Sequence, residues 1–190
     1  MQKLYIDGCS LVYGDGLPRD KSLGYLFKTV GGYNVLDLSR SGKSNLAIAF
    51  DTYQNYKDFD VFVLGFTFSS RFYIKYNNQN LDFYLREKES GFGLDDAALD
   101  DAQVSIYKHF YTVFGQPYCD ELSDMLIDGL ISFLRSQGKK VIAFSWQHRS
   151  VNSTMLYPYI PSSKRLADGH LNEEGMLELY HYLQNINGKD

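Results

Sequence analysis

Three side chains that together could carry out acyl transfer stand near the two ends of this 190-residue chain. Ser10 lies in Asp7-Gly8-Cys9-Ser10-Leu11-Val12-Tyr13-Gly14, and Asp168 and His170 lie in Asp168-Gly169-His170-Leu171-Asn172-Glu173-Glu174-Gly175. A serine hydroxyl attacks a carbonyl only when a base removes its proton. His170 is such a base, and it can hand the proton on to a leaving alcohol. Asp168 can hold the other ring nitrogen and stabilise the imidazolium. Asp15 and Asp20 are alternative orienting acids. Read singly, each block is equally a turn, because serine caps helices and Asp, Gly, His and Asn fill surface loops. The chemistry therefore requires the fold to bring the two chain ends together.

The elements between them favour that meeting. Lys3–Asp7 reads as a first strand, with Ser10 just beyond it and a glycine-containing turn at Gly14-Asp15-Gly16. Tyr33–Leu38, Asp60–Gly65 and Lys139–Ser145 read as further strands, the last two built on Val-Phe-Val-Leu and Val-Ile-Ala-Phe. Asn45–Tyr53 reads as helix. Two amphipathic faces follow, one over Leu94, Ala97, Ala98, Val104, Tyr107, Phe110 and Phe114, the other over Leu122, Leu126, Leu130 and Phe133, with Gly138 placed to end the second. The last helix starts near Asn172, which can cap it, with Glu173 and Glu174 in its first turn. Short strands alternating with helices predict a single α/β domain over 1–190, a three-layer α/β/α sandwich with a mostly parallel central sheet. Its sites belong at the C-terminal strand ends. Arg71–Tyr76 and Leu81–Leu85 interrupt the pattern as the arms of a hairpin, an insertion over about 66–93.

In this order the blocks resemble the SGNH hydrolase superfamily, also called GDSL-type esterases and lipases. Gly8-Cys9-Ser10 stands where the family has its glycine–aspartate–serine block, with Cys9 in place of the aspartate. Ser41-Gly42-Lys43-Ser44-Asn45 matches the block whose glycine amide points into the oxyanion hole. Gly65-Phe66-Thr67-Phe68 stands where the family has glycine–any–asparagine–aspartate. Asp168 and His170 match the acid and base before the last helix. The resemblance implies a flavodoxin-like fold and a carboxylic-ester hydrolase with Ser10, Asp168 and His170 as catalytic residues. It assigns the oxyanion donors to Ser10, Gly42 and Thr67, with Asn45 as a substitute donor. It implies no cofactor and no metal. Thr67 offers one hydroxyl donor in place of an amide, which also supports a catalytically weakened binding protein on the same fold. An O-acyltransferase using the same serine is a third reading. The substrate expected by analogy is a small ester, an acetyl ester of a carbohydrate in particular. Arg71, Phe66 and Tyr73 are the candidate substrate-binding residues, and Arg19 is a weaker one.

Other features compete for the same residues. Ser41-Gly42-Lys43-Ser44 looks like the end of a phosphate-binding loop, but Asp37 occupies the position of its first glycine. Cys9 is expected to be buried as a small hydrophobe. His148 falls just after the fourth strand, whereas His109 and His181 fall within helices. The acids Asp95, Asp96, Asp100 and Asp101 suit a solvated helix start better than a metal site. A formal charge of −4 gives no basic excess for nucleic acid. Two cysteines make no disulfide framework. The N-terminus has no export signal and no apolar run spans a bilayer, so a cytoplasmic protein with no membrane partner is expected. The 16 tyrosines and 13 phenylalanines suit a core, a carbohydrate cleft or a homo-oligomer interface alike.

Overall fold

The computed structural model describes residues 1–69, 71–76, 79–84, 101–145, 156 and 158–187, with backbone only for 72–76, 79–84 and several positions between 101 and 116. Strands β1 (Lys3–Gly8), β2 (Asn34–Asp37), β3 (Val61–Phe66) and, after a hairpin, β6 (Lys140–Ser145) form one sheet in the order β2-β1-β3-β6. Every pairing is parallel. Leu156 extends the edge by a parallel bridge to Phe144. The hairpin strands β4 (Arg71–Tyr76) and β5 (Gln79–Tyr84) pair antiparallel in a separate two-stranded sheet. Its second arm starts two residues earlier than the sequence suggests, because Tyr76 pairs with Gln79.

Alternation along the strands builds two cores. Leu4, Ile6, Val61, Val63, Ile142 and Phe144 face α2 (Leu23–Thr29) and α5 (Glu173–Asn187), where Phe27, Met176, Leu179 and Leu183 meet them. Tyr5, Phe62, Leu64 and Ala143 face α3 (Asn45–Asn55) and α4 (Asp101–Ser136), where Ile48, Ile127, Ile131 and Leu134 meet them. Three layers result, as the alternation predicts. The two expected amphipathic faces lie within α4, which breaks at Gly115 (φ 71°, ψ 177°) two residues before Pro117. The part of the first face before Asp101 lies outside the described residues. Gly138 (φ 70°) ends α4 by the expected route: its N–H bonds to Arg135 O and the Lys139 N–H to Leu134 O. Asn172 caps α5 by accepting the Gly175 N–H at 3.0 Å. Helix α2 is an addition to the sequence reading. Its start is fixed by Ser22, whose hydroxyl accepts the Tyr25 N–H.

Two facing glycines seat the first loop. Gly8 and Gly65 oppose each other in the β1–β3 register. A Cβ on either would come within 2.3 Å or 2.2 Å of Val12 Cγ2. Val12 belongs to the single turn α1 (Ser10–Tyr13) and is fully buried. The missing side chains therefore let α1 settle on the sheet edge and fix where Ser10 emerges. Gly65→Ala is expected to overpack this contact, costing ~1–3 kcal/mol and displacing α1. Chemical denaturation reads the loss, and an unchanged midpoint would contradict it.

Candidate active site

The strand order places a crevice where connections from β1 and β3 leave in opposite directions, at the C-terminal sheet edge. Ser10 leaves β1 there and is 6% exposed. Thr67 follows β3 directly and is also buried. The loop between β2 and α3 presents Gly42 with φ 74°, in the left-handed region that favours glycine. Among the described residues, neither the Ser10 nor the Gly42 backbone N–H donates to a protein acceptor. Both are thus available to an incoming anion.

His170 is held by a tight loop before α5. Its carbonyl accepts the Leu166 N–H at 2.7 Å, Gly169 takes φ 88°, and Arg165 bridges to Leu171. Asp168 Oδ1 accepts the His170 backbone N–H at 3.0 Å, and Oδ2 lies 3.0 Å from Nδ1. That second contact has ion-pair distance but not the alignment of an N–H···O hydrogen bond. The contacts with His170 hold the Asp168 carboxyl below its ordinary range.

The three loops meet at Asp15. Its N–H donates to Ser10 O at 3.0 Å, its Oδ2 accepts the Ser41 hydroxyl at 2.5 Å, and the same Oδ2 lies 4.0 Å from His170 Nε2. A Cβ on neighbouring Gly16 would come within 2.5 Å of Leu166 Cδ1. The loop after β1 thus packs against the loop that carries His170. Asp15 sits on the Nε2 side of the ring and Asp168 on the Nδ1 side, so Asp168 has the position of the orienting acid. Asp20 lies in the short 3-10 turn Arg19–Lys21. Among the described residues, Ser10 Oγ makes no hydrogen bond to His170. Free sites are often loose in this way and tighten around substrate.

Several expected roles are corrected. Asn45 is not an open oxyanion donor. Its Nδ2 donates to Thr67 O at 3.0 Å and to Ser123 Oγ at 2.7 Å, while its Oδ1 accepts the Thr67 N–H at 2.8 Å. It fixes the Thr67 backbone instead. Phe66 is 1% exposed in the core beside α3 and α4, so it does not line the cleft. Arg71 is placed over the Phe68 ring at 5.5 Å and lines a cavity of about 250 Å³ with Asn45, Ser123, Cys119, Leu122 and Leu126. Tyr73 lies in β4, but its side chain, like those of the other hairpin aromatics, is outside the described residues. His148 and the acids 95–100 are outside them too. Cys9 is 2% exposed, as a buried small residue. His109 and His181 are exposed on helices. Arg19 packs 4.0 Å over Tyr13 and donates to Tyr13 O.

One buried network was not anticipated. Lys43 and Asp7 are both fully buried. Lys43 Nζ lies 2.7 Å from each Asp7 oxygen, 2.6 Å from Asp51 Oδ2 and 3.0 Å from Leu38 O. Asp7 also accepts from Tyr5 Oη at 2.8 Å and from the Gly8 N–H at 2.7 Å. Arg40 lies 3.8 Å from Asp51, giving the group two cations for two carboxylates. A lysine consumed in this way cannot serve a phosphate, which removes the phosphate-loop reading of Ser41–Ser44. The only sequence signal was an acid ending an otherwise apolar strand. Lys43 follows Gly42 and Asp7 precedes Gly8, so their pairing ties the Gly42 loop to the strand exit that carries Ser10.

Burial pushes the Asp7 carboxyl up to about 7, against the downward pull of Lys43, Tyr5 and the Gly8 N–H. A folded-state value above the ordinary 3.8 means that the native protein holds this proton more tightly than the unfolded chain. The contribution of Asp7 to stability therefore falls as pH rises from about 3.8 to about 7, and levels off above. Asp7→Asn is expected to remove that component, so denaturation midpoints at pH 5 and pH 7 differ less in the favour of pH 5 than in the parent. An identical pH slope in both proteins would contradict the assignment.

No family model matches the chain, and no curated protein matches it significantly. Solved structures do. TesA superposes with a TM-score of 0.59 at 11% identity, over 98% of each chain. The psychrotrophic esterase EstA from Pseudoalteromonas sp., in a structure inhibited by monoethylphosphonate, superposes with a TM-score of 0.56 at 9% identity, over 100% of each chain. The acetyl xylan esterase Est2A from Butyrivibrio proteoclasticus gives 0.54 at 9% identity, over 98% of this chain and 64% of that one. At such identities the likeness establishes a shared fold.

Proposed function

We propose that this chain, whose fold is that of the SGNH hydrolases, is a serine-dependent hydrolase of carboxylic esters. The observation that carries the reading is the convergence at Asp15 of the Ser10 loop, the Ser41-Gly42 loop and the His170 loop. In the proposed first step Ser10 Oγ bonds to the ester carbonyl carbon and its proton passes to His170 Nε2. The tetrahedral oxyanion receives the Ser10 and Gly42 N–H groups, with Thr67 beside them. The carbon–oxygen bond to the alcohol then breaks and His170 protonates the departing alcohol. In the second step water gives its proton to His170 and its oxygen to the acyl carbon. Ser10 recovers its proton as the carboxylic acid leaves. Asp168 holds the imidazolium throughout.

A small acyl group, acetyl in particular, is the proposed donor, and a carbohydrate alcohol agrees with the acetyl xylan esterase among the structural neighbours. Thr67 in place of an amide side chain favours one second reading, a protein that binds such esters and turns them over weakly. Rapid acid quench of the protein with an activated acetyl ester, followed by intact-mass measurement, tests the proposal. An acetyl adduct that maps to Ser10 and decays in water is expected. Hydrolysis that persists at the parent rate in Ser10→Ala would overturn it.

A further inference from the structure

The proposed chemistry needs one orienting acid, and Asp168 takes that position; Asp15 is a second carboxylate on the opposite side of the same ring. Its Oδ2 lies 4.0 Å from His170 Nε2, the nitrogen that must protonate the departing alcohol. The side chains of His170 and Asp15 are each 24% exposed, so both are open to solvent. The Ser41 hydroxyl fixes the Asp15 carboxylate from the β2 side, and the Asp15 N–H is anchored on Ser10 O. The charge is therefore held in place. Arg165, which donates to Gly169 O at 3.0 Å, and Lys164, which pairs with Glu178, are the described cations on this loop, beside the two carboxylates Asp15 and Asp168.

We infer that Asp15 is a specificity-determining residue that selects esters whose alcohol portion carries a positive charge close to the ester oxygen, an aminoalcohol or amino-sugar ester. This rests on the serine-hydrolase reading and deepens it. When His170 Nε2 turns from Asp15 to the reacting oxygens, the carboxylate lies beside the alcohol carbons. A cation two or three bonds beyond the ester oxygen then comes to about 5 Å from it. At that range, in surroundings between water and a protein interior, a unit charge pair gives about a tenfold rate preference. An anionic alcohol portion is disfavoured by a similar factor.

Two phosphonothioates test this without turnover. Both place the same ethyl methylphosphonyl group on Ser10 as the Oγ–P bond forms and the P–S bond breaks. One releases thiocholine and the other 3,3-dimethylbutanethiol, which has the same shape and no charge. The parent protein is expected to react about tenfold faster with the first, and the ratio is expected to shrink with added salt. In Asp15→Asn the ratio falls towards one. In Asp168→Asn both rates fall and the ratio stays. Equal rates in the parent, or a ratio that Asp15→Asn retains, would overturn the inference while leaving the serine reading intact. A ratio lost in Asp168→Asn and kept in Asp15→Asn would overturn it too. A folded parent that neither probe labels would overturn the serine reading and this inference with it.

Discussion

Ser10→Ala is expected to lower kcat/KM for an activated acetyl ester by about 10⁴-fold or more, close to 5.5 kcal/mol of transition-state stabilisation. The whole loss belongs in kcat, because the hydroxyl forms its bond only after substrate is in place. His170→Ala is expected to fall as far, and the double variant little further, because nucleophile and base act as one unit. Far-ultraviolet circular dichroism should not change. Ser10 contributes a small side chain at the start of a four-residue turn, and that turn is seated by Val12. Steady-state kinetics on the two single variants and the double reads the result. A loss under tenfold in either single variant would remove that residue from the mechanism.

Lys43→Met is expected to be the most damaging change to the fold. Methionine nearly matches the length of lysine, so packing is largely kept and the charge is what disappears. Nζ is the partner of Asp7 and Asp51 and also donates to Leu38 O. Without it, a fully buried carboxylate keeps only Tyr5 and the Gly8 N–H. Breaking one side of a buried pair costs about 3–5 kcal/mol. For a domain of this size that lowers Tm by roughly 10 °C. Because burial already raises Asp7 to about 7, the loss is expected to be smaller at pH 5, where Asp7 protonates, than at pH 8. Replacing the partner as well, in Asp7→Asn with Lys43→Met, should recover part of the stability. Thermal denaturation of the two singles and the double at both pH values checks this. A single variant within 1 °C of the parent would contradict the burial and pairing described above.

What the sequence revealed and what it hid have physical causes. Strand cores were legible because Val-Phe-Val-Leu and Val-Ile-Ala-Phe are apolar on both faces, and both faces are buried by helices. The ends of α4 and α5 were legible because Gly138 and Asn172 act locally, through hydrogen bonds to residues three to five positions away. Helix α2 was not, since seven residues carry barely two turns of periodicity. Ser10 and His170 could be placed on the same edge from block order alone, yet the side of the ring that Asp15 takes depends on how two loops pack. Asn45 was read as a substitute for the missing oxyanion donor, but its three hydrogen bonds run to Thr67 and Ser123, far along the chain. The Asp7–Lys43 pair spans 36 positions, and its one local trace was the acid that ends an otherwise apolar strand. Phe66 shares the parity of Phe62 and Leu64, which sends it into the core and not the cleft.

The central claim is that a histidine near the C-terminus activates a serine near the N-terminus. Incubation with a neutral fluorophosphonate, followed by intact-mass measurement and peptide mapping, tests it most directly. One adduct, on Ser10, is expected in the parent, with none in Ser10→Ala and a reaction slowed at least a hundredfold in His170→Ala. An adduct on another residue, or labelling of Ser10 at the parent rate in His170→Ala, would contradict the account.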